Sequence, residues 1–491
     1  MMIKNFYSTI LSLYVFNSLV YDASGSNYEI ELVQDINPNG SSKPRRLERL
    51  ESTDGSNNQM FFIADDGIHS TEPWISNGTS AGTNLLKDIR SGVGSGLGSN
   101  INAHGKIYFV AHDGITGEEL WLSDGTSAGT KIVKDIFPGS DGSNPRYMCE
   151  YGTNVYFFAR SSDTSGMQLW KTDGTDAKTM KITNMQGGFN ATTSLSKLGN
   201  LLIFASRDEN NYISIWKVDG ETLSQITTEE LGVVDYPGLG RSLTAEKLGK
   251  VYFSAASASG VALYYTDGSI VNKIKDDIEV TRVSRTMLDD QRVLFVATSA
   301  QGSSVWVTDG TAQGTKSLLD ELTEVYLFPT YDGKTLFIAG DSTPDLKMYS
   351  SDGTVNGTKV IYKFDSTKEL RLRAGSKMGE DGPFFWGMDF GSSFQIWFIE
   401  GSDEEPKKLR EFVKDTDHDT YNMDYLNNAT ILFDNYDSNT GVELWKISKI
   451  SKTCEICKTC NITKTTSSST GFFIGMGTLF STTMLFSLIF I

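Results

Sequence analysis

From residue 28 to residue 448 the chain alternates short apolar and aromatic runs with polar, glycine-bearing turns. One copy of the pattern spans Lys106 to Ile136 and another spans Val293 to Leu322. Each opens on a run such as Ile107-Tyr108-Phe109-Val110 and crosses a Gly-bearing turn. A second short run then ends at a tryptophan, followed by Asp-Gly-Thr, a second Gly-Thr and a third run such as Lys131–Ile136. Residues left before the next copy, for example Arg146–Glu150, supply a fourth run. Apolar spacing at i, i+3 and i+4 is not sustained anywhere here, so the runs read as strands.

An aromatic residue recurs at one position: Trp74, Trp121, Trp170, Trp216, Tyr265, Trp306, Tyr349, Trp397 and Trp445. Successive separations lie between 41 and 49 residues, the period of a repeat that contributes one propeller blade. A large ring at that position fills the gap between neighbouring sheets. The Asp of each Asp-Gly-Thr accepts backbone N–H groups in a turn, and the glycine supplies the reversal. Two ends of the array are broken in complementary ways. Trp445 is followed by no Asp-Gly-Thr and no further strand, while Tyr28–Ile36 matches the post-turn run (KIVKDI) with nothing before it. The N-terminal strand therefore completes the last blade, and closure removes the edges an open array would expose. The predicted fold is all-β: one large propeller of about nine four-stranded blades, with eight to ten compatible with the weaker copies at Tyr265 and Tyr349.

The octet Glu119-Leu120-Trp121-Leu122-Ser123-Asp124-Gly125-Thr126 resembles the ELWxxDGT repeat family, as do Glu443-Leu444-Trp445, Gln168–Thr175 and Trp306–Thr311. The resemblance covers roughly residues 28–448 and departs from the pattern at Tyr265, Tyr349 and Glu400. It implies a secreted or surface propeller-type protein and supplies no catalytic motif to carry over.

Outside the repeats, Lys4 precedes an apolar stretch from Phe6 to Val20 and then Ala23, Ser24 and Gly25, the order of a secretory signal peptide over residues 1–25. Repeats occupy 26–448 and a Cys-containing, Ser/Thr-rich stalk 449–470. The uncharged run 471–491 is long enough to span a bilayer, yet no basic residue follows it. Small residues, a polar spacer and a hydrophobic tail match a GPI-attachment signal, with Asn461, Ser467, Ser468 or Ser469 as the attachment residue; a single C-terminal span is the alternative. Either places the protein on the extracellular face of the plasma membrane. Secretory entry makes the sequons at Asn39, Asn77, Asn190, Asn356, Asn428 and Asn461 glycosylation candidates. Cys149, Cys454, Cys457 and Cys460 are disulfide candidates in an oxidising compartment. A formal charge of −17 disfavours nucleic acid as a partner.

Chemistry-bearing patterns are scarce. His69 and His112 occupy comparable turns and read as turn residues, and no nucleophile elbow, zinc motif or phosphate loop surrounds them or His104 and His418. Turn acids Asp65, Asp66, Asp113 and Asp163 could offer hard oxygen ligands to calcium, although turn aspartates ordinarily bind their own backbone. Arginines are few and irregularly spaced along the chain. No cofactor and no catalytic residue is predicted. Two functional classes remain: a non-catalytic surface or secreted protein presenting the ring to an extracellular protein or glycan, and a surface glycoside hydrolase with carboxylates in the central channel.

Overall fold

The computed structural model describes residues 27–450, less short internal segments of which 52–57, 190–194, 233–242 and 415–421 are the longest. The signal segment, the stalk and the hydrophobic tail lie outside the described residues, as do Cys454, Cys457, Cys460, Asn190, Asn461 and Ser467–Ser469. Among the described residues the ring is all-β, with two short 3-10 turns at Ser80–Gly82 and Asp176–Lys178.

Nine four-stranded antiparallel blades make up the ring. Blade 1 runs outward through Arg45–Leu50, Gln59–Asp65, Thr71–Ser76 and Asn84–Leu85. Blade 2 runs through Asn100–Ala103, Lys106–His112, Glu118–Ser123 and Lys131–Lys134, and blade 3 through Arg146–Tyr151, Asn154–Ser161, Thr164–Thr172 and Met180–Lys181. Blades 4 to 8 begin on Ser196–Leu198, Leu243–Ala245, Glu279–Met287, Glu324–Tyr331 and Leu370–Lys377. These first strands lie against one another from blade to blade and line the central channel. Blades 4 and 5 share one further link, because Leu231–Gly232 pairs with Tyr212–Asp219 on one side and with Lys250–Ser257 on the other.

The ninth blade is the joint. It holds Met423–Asn427, Thr430–Asp437 and Gly441–Lys449, and its outer strand is the N-terminal Tyr28–Gln34. That strand runs antiparallel to Gly441–Lys449, with Tyr28 opposite Lys449 and Leu32 opposite Trp445. The predicted closure is what the chain adopts.

Each gap between blades holds one apolar cluster, and the repeated aromatic lies in it. Trp121 of blade 2 packs with Phe61, Ile63 and Ile75 of blade 1, and Trp74 of blade 1 packs with Leu426, Leu432 and Leu444 of blade 9. Directly across the sheet each anchor faces a second ring: Phe62 opposite Trp74, Phe109 opposite Trp121, Phe295 opposite Trp306 and Trp386 opposite Trp397. In blade 5 the expectation of Tyr265 needs correcting. Tyr264 is the residue opposite Phe253, with ring centroids 5.8 Å apart, and it lies in the blade 4–blade 5 core. Tyr265 points to the other face, toward blade 6. The Tyr-Tyr pair hides a one-residue ambiguity that the strand's period of two resolves.

The Asp-Gly-Thr turn is a closed hydrogen-bond set. Asp124 Oδ1 accepts from Thr126 N at 2.9 Å and from Thr126 Oγ1 at 2.7 Å. The second Gly-Thr has a steric and a polar reason. A Cβ on Gly129 would fall 2.0 Å from Asp124 Oδ1, and the buried Thr130 hydroxyl bridges to Ser123 Oγ at 2.7 Å. The same bridge joins Ser76 to Thr83, Thr172 to Thr179, Thr308 to Thr315 and Ser351 to Thr358.

Two outcomes are expected. Thr130→Val takes the acceptor from the buried Ser123 hydroxyl and a donor from the Thr126 carbonyl, and costs about 1–3 kcal/mol in chemical denaturation. Deleting Tyr28–Gln34 exposes the Gly441–Lys449 edge; size-exclusion chromatography should show association of the deleted chain and not of the intact one.

Candidate functional site at the channel mouth

Alternation of strand direction gives the ring two different faces. Inner strands start on the face that carries the long connections between blades, called the loop face here, and end on the face of the Asp-Gly-Thr turns. Tyr28 and Lys449, the two ends of the ring, both lie on the turn face. The loop face is therefore free of the ring's ends, and its loops are held in an unusual way.

Two residues before the anchor stands a glutamate in three contiguous blades, Glu443, Glu72 and Glu119, each fully buried. A side chain at that position can turn either way. In blade 8 Gln395 accepts from the indole N–H of its own Trp397 at 3.0 Å. The three glutamates instead grip the loop that leads to the next blade. Glu443 accepts from Ile36 N (2.9 Å), Ser42 N (3.0 Å) and Ser42 Oγ (2.6 Å). Glu119 repeats this with Phe137 N (3.0 Å), Ser143 N (2.9 Å) and Ser143 Oγ. Glu72 takes Ile89 N (3.1 Å) and Arg90 N (3.2 Å). Blade 3 has a neutral version, with Thr183 Oγ1 donating to Gln168 Oε1 at 2.8 Å. The held serines in turn dock the next blade, since Ser42 O accepts from Asp65 N and Ser143 O from Arg160 N. Burial pushes the carboxyl groups of Glu72, Glu119 and Glu443 up to about 7, against the pull of these donors.

Beyond each clamped serine of blades 9 and 2 the backbone is forced into one strained shape. Ser42-Lys43-Pro44-Arg45-Arg46 and Ser143-Asn144-Pro145-Arg146-Tyr147 are equivalent segments. Lys43 and Asn144 have φ of 48° and 53°, and Arg46 and Tyr147 have φ of 57° and 56°. Such values in non-glycine residues are uncommon and cost free energy unless their surroundings enforce them. Both segments also carry a bulge, at Arg45/Glu48 and at Arg146/Cys149. The result is that Arg46, Arg146 and Tyr147 are exposed at the channel mouth. Arg46 is tied to both neighbouring blades, its N–H donating to Asn422 Oδ1 at 3.4 Å and its carbonyl accepting from Asn100 Nδ2 at 3.3 Å.

Arginine spacing is irregular along the chain, yet the fold collects these residues. Eight of the fourteen arginines lie on the inner strands: Arg45, Arg46, Arg49, Arg146, Arg282, Arg285, Arg371 and Arg373. Those nine strands carry ten basic and five acidic residues, whereas the whole chain carries 44 basic and 61 acidic. Part of this charge is internally balanced. Arg373 pairs with buried Asp389, and Arg49 stacks 4.1 Å over the Tyr425 ring. Arg45, half-buried beside Arg46, has its pKa lowered first by burial and then by that neighbour.

The inner-strand carboxylates whose partners are described are engaged. Glu48 accepts from Asn102 N at 3.2 Å, and Glu150 pairs with His104 at 3.1 Å. Asp424 is pushed up to about 6 by burial. The turn acids proposed for calcium cap their own turns: Asp65 accepts from Gly67 N, Asp66 from Ile68 N and His69 N, and Asp113 from Ile115 N and Thr116 N. Asp163 is outside the described residues. Among the described residues no group of three metal-binding side chains is found. His69 bonds Asp66 and His112 receives Gly114 N, so both are turn residues as expected. Of the sequons, Asn39, Asn77, Asn356 and Asn428 are exposed, although Asn77 Oδ1 is engaged by Thr79 in place of the usual Asp. Cys149 is half-buried on the inner strand of blade 3, its Sγ 3.6 Å from the Glu150 carbonyl oxygen.

Neither a protein-family model nor a curated protein sequence matches the chain. Several solved structures are similar at low identity. The WD40 domain of SCAP from fission yeast is 10% identical, with a TM-score of 0.42 over 87% of this chain and 99% of that one. A prolyl endopeptidase is 12% identical, with a TM-score of 0.41 over 72% of this chain and 54% of that one. Oligopeptidase B from Leishmania major is 10% identical, with a TM-score of 0.40 over 74% and 53%. The chain thus spans about half the length of the two peptidases.

The clamp predicts a pH dependence. A carboxyl whose pKa is about 7 when folded, against an ordinary 4.5, holds in the folded state a proton that the unfolded chain releases. Stability from Glu72, Glu119 and Glu443 is therefore highest below about pH 4.5 and falls as pH rises toward 7. His69, raised by its bond to Asp66, acts in the same direction. The melting temperature should drop between about pH 5 and pH 7.5, and replacing all three glutamates by glutamine, as blade 3 already has, should flatten most of that drop. An equal slope in both proteins would refute the assignment.

Proposed function

We propose that the chain is a non-catalytic binding scaffold, exported and tethered at the cell surface, that presents the loop face of its propeller to an extracellular protein or glycan. One observation carries this reading: both ends of the ring leave from the turn face. A tether attached beyond Lys449 departs from the turn face and leaves the loop face clear of the ring's ends. Support comes also from the clamped loops, where three buried carboxylates confer rigidity on that face. Rigid loops bind with less ordering cost than mobile ones. The ELWxxDGT resemblance points to the same class of secreted or surface protein. Against the hydrolase alternative stand the engaged carboxylates of the inner strands.

Export and tethering are tested on intact cells. Surface labelling followed by a phosphatidylinositol-specific phospholipase should release the protein into the medium. Retention after treatment would favour a spanning tail, and absence from the labelled fraction would sink the surface reading. The binding role is tested with a glycan array and a glycosidase panel on the same protein; turnover of any glycan would replace the scaffold reading by the enzymatic one.

A further inference from the structure

We propose that the arginine-bearing mouth of the channel is a binding site for an acidic polysaccharide, one carrying carboxylate or sulfate groups along an extended chain. This deepens the scaffold reading and rests on it. Three features converge on that ligand.

The first is charge against its background. An acidic molecule has placed most of its arginines on the inner strands of its blades, and at the mouth Arg46 and Arg146 are exposed. Guanidinium groups recognise carboxylate and sulfate through paired N–H donors. The second is construction. Arg46 and Arg146 stand one position apart on the equivalent segments Ser42–Arg46 and Ser143–Tyr147, each segment fixed by a buried glutamate and each holding two left-handed residues. Strain of that kind persists where surrounding structure enforces it, and it re-aims the side chains that follow. The third is spacing. Arg46 and Arg146 stand on inner strands with one strand between them, that of blade 2, so they are set along the rim of the channel. A chain of several charged sugars laid along that rim can meet both.

Aromatic neighbours favour sugar over a phosphate polymer. Tyr147 follows Arg146 directly and is 39% exposed, so the same segment also offers a ring to pack on the apolar face of a pyranose. A nucleic acid needs a broad basic surface to displace its counterions, and the overall excess of acidic residues opposes that.

The probe is a fluorescently labelled sulfated hexasaccharide of alternating uronate and hexosamine, titrated by anisotropy into the full-length protein at low salt. Its desulfated and carboxyl-reduced, uncharged counterpart and a single-stranded oligonucleotide serve as competitors. Arg46→Asn keeps a residue that tolerates the left-handed backbone, and Arg146→Ala removes a second exposed guanidinium. Each change should weaken binding on the order of tenfold, the double variant more, and added salt should weaken the wild type most. Lys131→Ala with Lys359→Ala, which removes two exposed charges from outer strands, should leave the affinity unchanged. Matching far-ultraviolet circular dichroism and melting temperatures separate lost contacts from lost folding. Equal affinity of wild type and the Arg46/Arg146 double variant overturns the site. So does undiminished competition by the uncharged sugar or the oligonucleotide. In those cases a neutral glycan or protein partner captured on the loop face would still leave the scaffold reading standing.

Discussion

Everything in this ring depends on the pairing of Tyr28–Gln34 with Gly441–Lys449. Radial sheets stack only if each has a neighbour on both sides, and a stack that fails to return to its start leaves two bare faces. The joint blade satisfies both neighbours at once. Tyr28 sits edge-on to Phe385 and Phe398 of blade 8, at 5.0 and 5.2 Å, while Leu432 and Leu444 of the joint blade pack on Trp74 of blade 1. Because the joint sheet draws on both ends of the repeat array, the apolar clusters on either side of it form only when those ends meet.

Within the closed ring, the buried glutamates link packing to surface. A carboxylate in an apolar gap is costly unless donors surround it. Glu119 meets this requirement by taking two backbone N–H groups and a hydroxyl from the loop that leads to blade 3. The same interaction therefore offsets a desolvation penalty and shapes the channel mouth. Blades 4 to 7, with Ser214, Ala262, Ser304 and Lys347 at the corresponding position, carry no carboxylate there, and the ring is in this sense two-sided.

Much of the architecture is legible in the chain. The aromatic period, the alternating runs and the matched broken ends are local signals, and they lead to nine blades and to the closing strand. Where two aromatics stand side by side the reading slips by one residue, since Tyr264 and Tyr265 satisfy the composition equally and only the partner strand separates them. The second Gly-Thr is visible as a pattern without a reason; its reason is the 2.0 Å approach of the Asp124 carboxylate to the position of a Gly129 Cβ. Glu or Gln two residues before the anchor is likewise present at Glu72, Glu119, Gln168, Gln395 and Glu443. Its role stays hidden in the sequence because its partners lie up to 407 residues away along the chain. The arginines escape notice for a related cause. Linear spacing carries no information about which strand of a blade is innermost.

Splitting the ninth blade between the chain's ends offsets the sequence unit from the structural unit by one strand. Duplication of any interior stretch one repeat long therefore supplies a whole new blade, wherever its endpoints fall, because each outer strand lost to one blade is returned to the next. The joint is untouched by such an event. A ring of this construction can change its girth in single steps during evolution without ever passing through an unclosed form.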